Sequence, residues 1–326
     1  MKIGLINSYN NEGTIEASVY SLLNQSEKID GLVVVDDLSM DATRDILMRL
    51  ARKNKKIEIE FNKTNIGAAA SLNIGFGIVR NLFKRGYIFT QGGDDKSNQN
   101  RVEIQSQILG ARKEISVTLG NIKSNTSANH DSIRNFLPLF AGNVKVTDLF
   151  YFGNFLCAPS ASFKFDSLNK SSVFVEYLHQ LHDFYLWKNL SWKNSIYYST
   201  EEVLQYNEDG SGSSDMVKNN NSSNYNHHQH EYIWIYRSFF KNIHTTTILN
   251  QFKDTLDLNF ENKFKNPKNF RNYILMKIYL SHPNRQVREL GYELYMSQLE
   301  NERIKVAELN QILGLSLSDS DILDFN

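Results

Sequence analysis

Two pairs of adjacent aspartates stand out in the first hundred residues. Asp36-Asp37 follows the apolar run Leu32-Val-Val-Val35, and Asp94-Asp95 follows Gly92-Gly93. Neighbouring carboxylates repel one another, so a glycine-rich loop that holds two of them needs a cation or hydrogen-bond donors between them. Oxygen ligands of this kind suit Mg2+ or Mn2+, usually shared with substrate phosphates. Gly-Gly-Asp-Asp is also good turn composition, so each pair alone is a weak signal. Both pairs at the ends of neighbouring strands make a stronger one, because ligands of open parallel sheets bind beyond the carboxyl ends of the strands. There Asp36 and Asp37 can accept hydrogen bonds from a base edge or a ribose. Asn65-Ile-Gly67-Ala-Ala-Ala-Ser71 opens a helix with small residues, which lets a ligand approach free backbone N–H groups; close helix-to-sheet packing explains the same composition equally well. His227-His-Gln-His230 invites a metal reading. It lacks a paired cysteine or a second cluster and has Asn/Ser-rich flanks, so a flexible loop is expected instead.

The elements that must position these groups are legible. Ile3 to Ile6, Leu32 to Val35, Ile57 to Phe61 and Tyr87 to Thr90 read as strands. Between them, Ile15, Val19, Leu22 and Leu23, then Ile46, Leu47, Leu50 and Ala51, then Leu72, Phe76, Val79 and Phe83 recur at helical spacing. Ser39 and Asp41 stand where a helix cap is needed. Strands alternating with helices predict parallel pairing and an α/β sandwich. Further on, 102–111 reads as a helix, 115–119 as a strand, 123–135 as a surface loop and 174–190 as a helix. Residues 208–230 are rich in Asn, Ser, Gly and His and have little to bury, which predicts a loop or linker. From Glu231 onward the pattern is helical, with one amphipathic helix beginning near Pro283. The expected domains are 1–215, a linker over 216–230, and a smaller helical region over 231–326.

A chain of 326 residues with 41% hydrophobic content can bury a full core. Its 36 basic and 36 acidic residues cancel, which argues against nucleic acid as a partner. Cys157 is the single cysteine, so an intrachain disulfide and a Cys-rich zinc site are excluded, in keeping with a reducing cytosol. No secretory leader and no apolar stretch of the ~20 residues that span a bilayer can be read, so a cytoplasmic protein is expected, at most peripheral to the inner face of the membrane.

In order and spacing, the motifs resemble the family 2 glycosyltransferases of bacterial type, which have the GT-A fold and act with inversion. The resemblance rests on Ser8-Tyr-Asn-Asn-Glu12, Ser21-Leu-Leu-Asn-Gln25, Val34-Val-Asp-Asp-Leu-Ser-Met-Asp41, Asn65-Ile-Gly67, Asn73-Ile-Gly75 and Gly93-Asp-Asp95, with Arg101 to Gln105 as the helix after the metal loop. His182-Asp-Phe-Tyr-Leu-Trp187 is similar to the segment carrying the family's base, and Glu202-Val-Leu-Gln-Tyr206 to its closing strand. The resemblance covers residues 1–215 and implies a Rossmann-like mixed sheet flanked by helices.

By position, it implies donor contacts by Tyr9, Asn10, Asp36, Asp37, Asn65, Gly67, Asn73 and Asp94, with Mn2+ or Mg2+ held by Asp95 and Asp94. It makes Asp183 the general base of a single displacement, with a glycan or lipid-linked hydroxyl as acceptor and a UDP-sugar as the commonest donor; GDP- and dTDP-sugars stay open. Four positions depart from the pattern: Asn7 for proline, Gly92 for the first metal acid, His182 for glutamate and Asn207 for arginine. Gly92 is the best argument for the rival reading, a binding or scaffold protein on the same fold. A Rossmann oxidoreductase would need Gly-x-Gly-x-x-Gly where Asn7 to Glu12 stand, and a nucleotidyltransferase a basic phosphate loop near the N-terminus; neither is present. Lys263, Lys265, Lys268, Arg271 and Lys277 interleave with Phe264, Phe270 and Tyr273. That composition suits peripheral contact with anionic lipid, against an ordinary helical subdomain with a solvated basic face or a homodimer contact.

Overall fold

The structure, a computed structural model, describes residues 1–124, 141–167, 172–207, 223–256, 270–302 and 306–314. They form two compact units, Met1–Glu231 and Tyr232–Asn326.

The first unit is built on a mixed sheet. Strands β1 (Lys2–Ser8), β2 (Gly31–Asp36), β3 (Ile57–Phe61) and β4 (Tyr87–Gly92) pair in parallel in the order β3-β2-β1-β4. Beyond β4 the pairing changes direction. After β5 (Lys96–Ser97) the chain supplies β6 (Val117–Ser124), β7 (Gly142–Asn143), β8 (Ser162–Lys164) and β9 (Ile196–Tyr206). β8 runs antiparallel to both β4 and β6, whereas β9 lies parallel to β6 and antiparallel to β5 and β7.

The apolar periodicities find their partners. Helices α1 (Ile15–Leu23) and α2 (Thr43–Lys53) cover one face, where Ile15, Val19, Leu22, Leu47 and Leu50 pack on Ile6, Leu32 and Val34. Every residue of β2 is buried, as an uninterrupted β-branched run should be when both faces are covered. Helix α3 (Ala68–Leu82) packs on β1 and β2, and its Phe76 meets Phe163 of β8 edge-on at 5.3 Å. Helices α4 (Arg101–Ala111), α5 (Val146–Phe152), α6 (His182–Ser191) and α7 (Ser223–Arg237) follow in the chain.

Two expectations are corrected. The helix foreseen over 174–190 begins only at His182. The amides of Val173 and Phe174 are taken by Asn73 Oδ1, and those of His179, Gln180 and Leu181 by the Glu231 carboxylate, so these residues do not close helical turns. Residues 223–230, foreseen as linker, are the first half of α7, so the histidine cluster stands on a helix. The remainder of that linker, 216–222, and most of the surface loop foreseen over 123–135 lie outside the described residues.

The second unit is helical. α8 (Thr245–Gln251), α9 (Phe270–Leu280), α10 (Arg285–Glu302) and α11 (Val306–Leu313) follow the end of α7. Aromatic contacts join Tyr236, Phe239, Phe240, Phe252 and Tyr279. Arg271, expected on a basic surface, instead donates to the carbonyls of Phe240 and Ile243. Lys263, Phe264, Lys265 and Lys268 lie outside the described residues. No helix among the described residues is long and apolar enough to cross a membrane.

Candidate active site

The register of the parallel strands brings the sequence motifs to one edge. Ser8 lies beside Asp36, and Asn7 beside Gly92. The ladder continues past the strand ends: the amide of Asp37 donates to Ser8 O at 2.9 Å, and that of Gly93 to Asn7 O at 2.8 Å. Side chains of α1 tie down the acidic loop, with Thr14 Oγ1 donating to Gly93 O and Ser18 Oγ to Gly92 O. Tyr9 stands at this edge with 42% of its surface exposed, a ring open to stacking.

Several groups expected to touch the donor are committed to holding this edge together. Asp36 is fully buried; it accepts hydrogen bonds from the amide and hydroxyl of Ser39 and pairs with Arg44 Nε at 3.1 Å. In these contacts it positions the loop that follows β2. Asn10 links two loops, its amide donating to Ser39 Oγ and its Oδ1 accepting from the amide of Met40. The Asp37 carboxylate accepts from Asn62 Nδ2 and the amides of Ile66 and Gly67, and its carbonyl accepts from Asn65 Nδ2. Three of about four acceptor sites on that carboxylate are thus occupied by the loop before α3. Asn73 is likewise spent: its Nδ2 donates to Ser172 Oγ, Phe174 O and Glu176 Oε1, and its Oδ1 accepts the two amides named above. Through these bonds it clamps the segment that leads into α6. The expected cap Asp41 accepts from the amides of Thr43 and Glu12.

The acidic loop has a different character. Asp95 is 1% exposed; its oxygens accept from the amides of Asn207 and Gly92, and burial with the neighbouring Asp94 pushes its carboxyl up to about 7. Asp94 is half-buried and also shifted upward by burial. A Cβ added to Gly92 would lie 2.6 Å from Asp94 Oδ1 and 2.8 Å from Asp95 Oδ2, so both carboxylates border the space that glycine leaves. Behind them lies Arg101, wholly buried. Its guanidinium donates to Thr90 O, Ala161 O, Ser97 Oγ and Gln105 Oε1, and burial lowers it to about 10 against the opposing pull of Asp95. Two desolvated carboxylates bordering one space fit a divalent cation completed by phosphate oxygens and water. Among the described residues no group of three or more His, Cys, Asp or Glu is placed to hold a metal by itself.

Asp183 lies in the first turn of α6, partly buried. Asn154 Nδ2 donates to both its oxygens at 3.1 Å, and the amide of Phe184 donates to Oδ1 at 2.6 Å. α5 ends at Gly153 with φ +75°, a positive angle that glycine permits, and Asn154 follows it. Burial raises the carboxyl of Asp183, and the neighbouring His182 with the Asn154 hydrogen bonds only partly offsets this. Asp183 and Asp95 share one neighbourhood, because both charges act on the buried thiol of Cys157, which burial and then Asp95 push upward. Asp95 and Asp183 thus both lie near Cys157, while Asp94 and Tyr9 stand beside the carboxyl ends of β4 and β1. Sequence reasoning missed Asn154 and the buried role of Arg101. Asn154 leaves no periodic signal, but Arg101 shares a helix face with Val102, Gln105 and Leu109, all buried.

The sequence model described as "Glycosyl transferase family 2" matches residues 5–170, about half of the chain. A Bacillus subtilis protein named for teichuronic acid biosynthesis, the glycosyltransferase TuaG, is 31% identical over 105 residues, 32% of this chain and 40% of the relative. The matches span two-fifths or less of the length of such curated relatives. Among solved structures, TarS 1–349 of S. aureus in complex with UDP-GlcNAc superposes with a TM-score of 0.60 at 17% identity, covering 97% of this chain and 93% of that one. A mannosyltransferase of Pyrobaculum calidifontis in complex with GDP-Man and Mn2+ gives 0.55 at 12%, covering 100% and 88%. At such identities the likeness shows the GT-A fold.

Proposed function

The chain belongs to glycosyl transferase family 2, and from that premise we propose that it moves a sugar from a nucleotide donor to a hydroxyl acceptor with inversion at the anomeric carbon. The observation that supports the reading is the placement of Asp94 and Asp95 just past the carboxyl end of the parallel strand β4, with Asp95 and Asp183 both near Cys157. Asp183 accepts the proton of the acceptor hydroxyl as that oxygen bonds to the anomeric carbon. The bond from that carbon to the diphosphate breaks on the opposite face, and the nucleoside diphosphate leaves with the electron pair. Asn154 fixes the carboxylate through both its oxygens, so the base meets the acceptor in one orientation. Tyr9 offers an exposed ring for the base of the nucleotide, while Asp37 and Asn65 shape the loop beside it.

Asp94 and Asp95 would hold Mn2+ or Mg2+, which when bound neutralises negative charge on the diphosphate. A UDP-sugar is the proposed donor, supported by the UDP-GlcNAc complex of the similarly folded TarS; the GDP-Man complex keeps GDP-sugars in view. The likeness to TuaG, a protein named for teichuronic acid biosynthesis, supports a polysaccharide as acceptor; the reaction is proposed to take place at the cytoplasmic side.

The test is thermal unfolding with UDP, GDP and dTDP in the presence of Mn2+. A ligand that binds only the folded state raises Tm by mass action, by about 2.7 kcal/mol of stability at a hundredfold excess over Kd. One of the three is expected to do so, and EDTA to remove most of the effect. No movement with any of them would refute the donor cleft.

A further inference from the structure

The acidic loop is held from beneath by a glutamine that stands where the fold has an apolar face. Gln91 lies on β4 two residues after Phe89, so the two share a face of the strand. Phe89 belongs to the apolar cluster under α1 and α2, and Gln91 is 2% exposed. An amide buried there is costly unless its polar atoms find partners, and this one is fully spent. Its Nε2 donates to Asp95 O at 3.0 Å and to Ser18 Oγ at 2.6 Å, with Ser18 O and Ser21 Oγ at 3.2 and 3.3 Å. Its Oε1 accepts from Ser97 Oγ, which in turn accepts from Arg101.

These bonds close a ring around the loop. Ser18, which accepts from Gln91, donates its own hydroxyl hydrogen to Gly92 O at 3.0 Å. Gln91 therefore fixes the carbonyl of Asp95 directly and that of Gly92 through Ser18. Those are the two ends of the segment whose carboxylates border the space beside Gly92. Ser18, Gln91, Asp95, Ser97 and Arg101 are all buried, so water does not compete for the ring. We propose that Gln91 is a positioning residue for the divalent cation: by holding both ends of the loop it sets the spacing of the Asp94 and Asp95 carboxylates, and with it the cation affinity, without touching the ion. The inference rests on the reading of those two acids as the cation's ligands.

Gln25 supplies the comparison. It is equally buried, its Nε2 donates to Ser21 O and Asn98 O at 2.8 Å, and its Oε1 accepts from the amide of Val102 at 3.0 Å. None of those partners lies in the acidic loop. If buried amides matter here only for stability, the two glutamines should behave alike.

The experiment titrates UDP and GDP calorimetrically into full-length protein at a series of Mn2+ concentrations, for the wild type, Gln91→Met, Ser18→Ala and Gln25→Met, with urea unfolding of each. In Gln91→Met the Mn2+ needed for half-maximal nucleotide binding should rise ~10- to 100-fold, the usual effect of removing a group that orients a metal ligand. Excess Mn2+ should then restore the wild-type nucleotide affinity. Ser18→Ala, a smaller cut in the same ring, should shift the requirement in the same direction, and Gln25→Met should lose stability with its Mn2+ requirement unchanged. A wild-type requirement in Gln91→Met, or in Ser18→Ala should the first variant not fold, overturns the inference, as does an equal shift in Gln25→Met. Nucleotide binding by the wild type that ignores Mn2+ overturns the cation reading of Asp94 and Asp95 itself, and this inference with it.

Discussion

Replacing Asp183 by Asn isolates the proposed chemical step. Phe184 can donate to the amide oxygen of the new side chain as it does to Oδ1 of the aspartate. The new NH2 group then faces Asn154 Nδ2, which donates to both carboxylate oxygens in the wild type. Two donors cannot pair, but rotating the Asn154 amide by half a turn presents its Oδ1, now buried without a partner. The variant is therefore expected to fold with a stability change of about 1 kcal/mol or less, the size of one hydrogen bond. Transfer should fall by ~10²- to 10⁴-fold, the usual worth of a general base, or about 2.7–5.5 kcal/mol of barrier. The pH profile gives a second readout. Because burial raises the carboxyl of Asp183, the wild-type rate should climb with pH through a midpoint above the ordinary carboxylate value. Below that midpoint the base is protonated and idle. The assay is transfer rate against pH at saturating donor, with nucleotide-induced Tm shift as the binding control. Near wild-type transfer by Asp183→Asn, or loss of donor binding in step with rate, would refute the assignment.

Three further outcomes follow from the buried charges. Without metal or nucleotide, folded Asp95 keeps its proton to about pH 7, whereas the unfolded side chain loses it near pH 3.9. The folded state then binds more protons across that window. Stability fully present below pH 4 is lost as pH rises through 7, by at most about 4 kcal/mol; urea titrations in EDTA at pH 5 to 8 should show the fall, and Asp95→Asn should flatten it. Arg101→Met should cost ~3–5 kcal/mol in the same assay, since it removes four buried hydrogen bonds and leaves buried Asp95 without its counter-charge. Asp95→Ala should remove most transfer activity and Asp94→Ala should weaken nucleotide binding, with wild-type activity lost in EDTA and regained with Mn2+; full turnover in EDTA would count against a metal-assisted site.

The parallel half of the sheet was legible because burial on both faces leaves an unbroken apolar run, as in Leu32 to Val35, and the helices between strands carry regular apolar spacing. The acids at the strand ends were legible for a related reason: adjacent carboxylates are costly, so their presence signals a compensating group. What they touch was not legible. Asp36 and Asp95 look alike in sequence, yet one is satisfied by Ser39 and Arg44 while the other is left raised beside Asp94. Only the loop's path in space separates them. Helix 223–230 was misread because its first turns are Asn- and His-rich. Its place depends on Glu231, whose three amide partners lie about fifty residues away and leave no local trace.

Gly92 is where sequence and geometry argue differently. Read against the family's pattern, it is a missing acid, and so the one residue favouring a binding protein without turnover. In the folded chain, a Cβ at 92 would fall between the two carboxylates, under 3 Å from each. An aspartate there would have to displace Asp94 and Asp95 from the positions they hold. The amide of Gly92 also donates to Asp95 Oδ2, and its carbonyl accepts from Ser18. The glycine is thus integral to the way this loop brings its two acids together, and its presence is no longer a reason to prefer the scaffold. The consequence can be measured: Gly92→Ala should weaken metal-dependent nucleotide binding at least as much as Asp94→Ala does. If the alanine variant binds nucleotide like the wild type, the space beside Gly92 has no part in holding the cation.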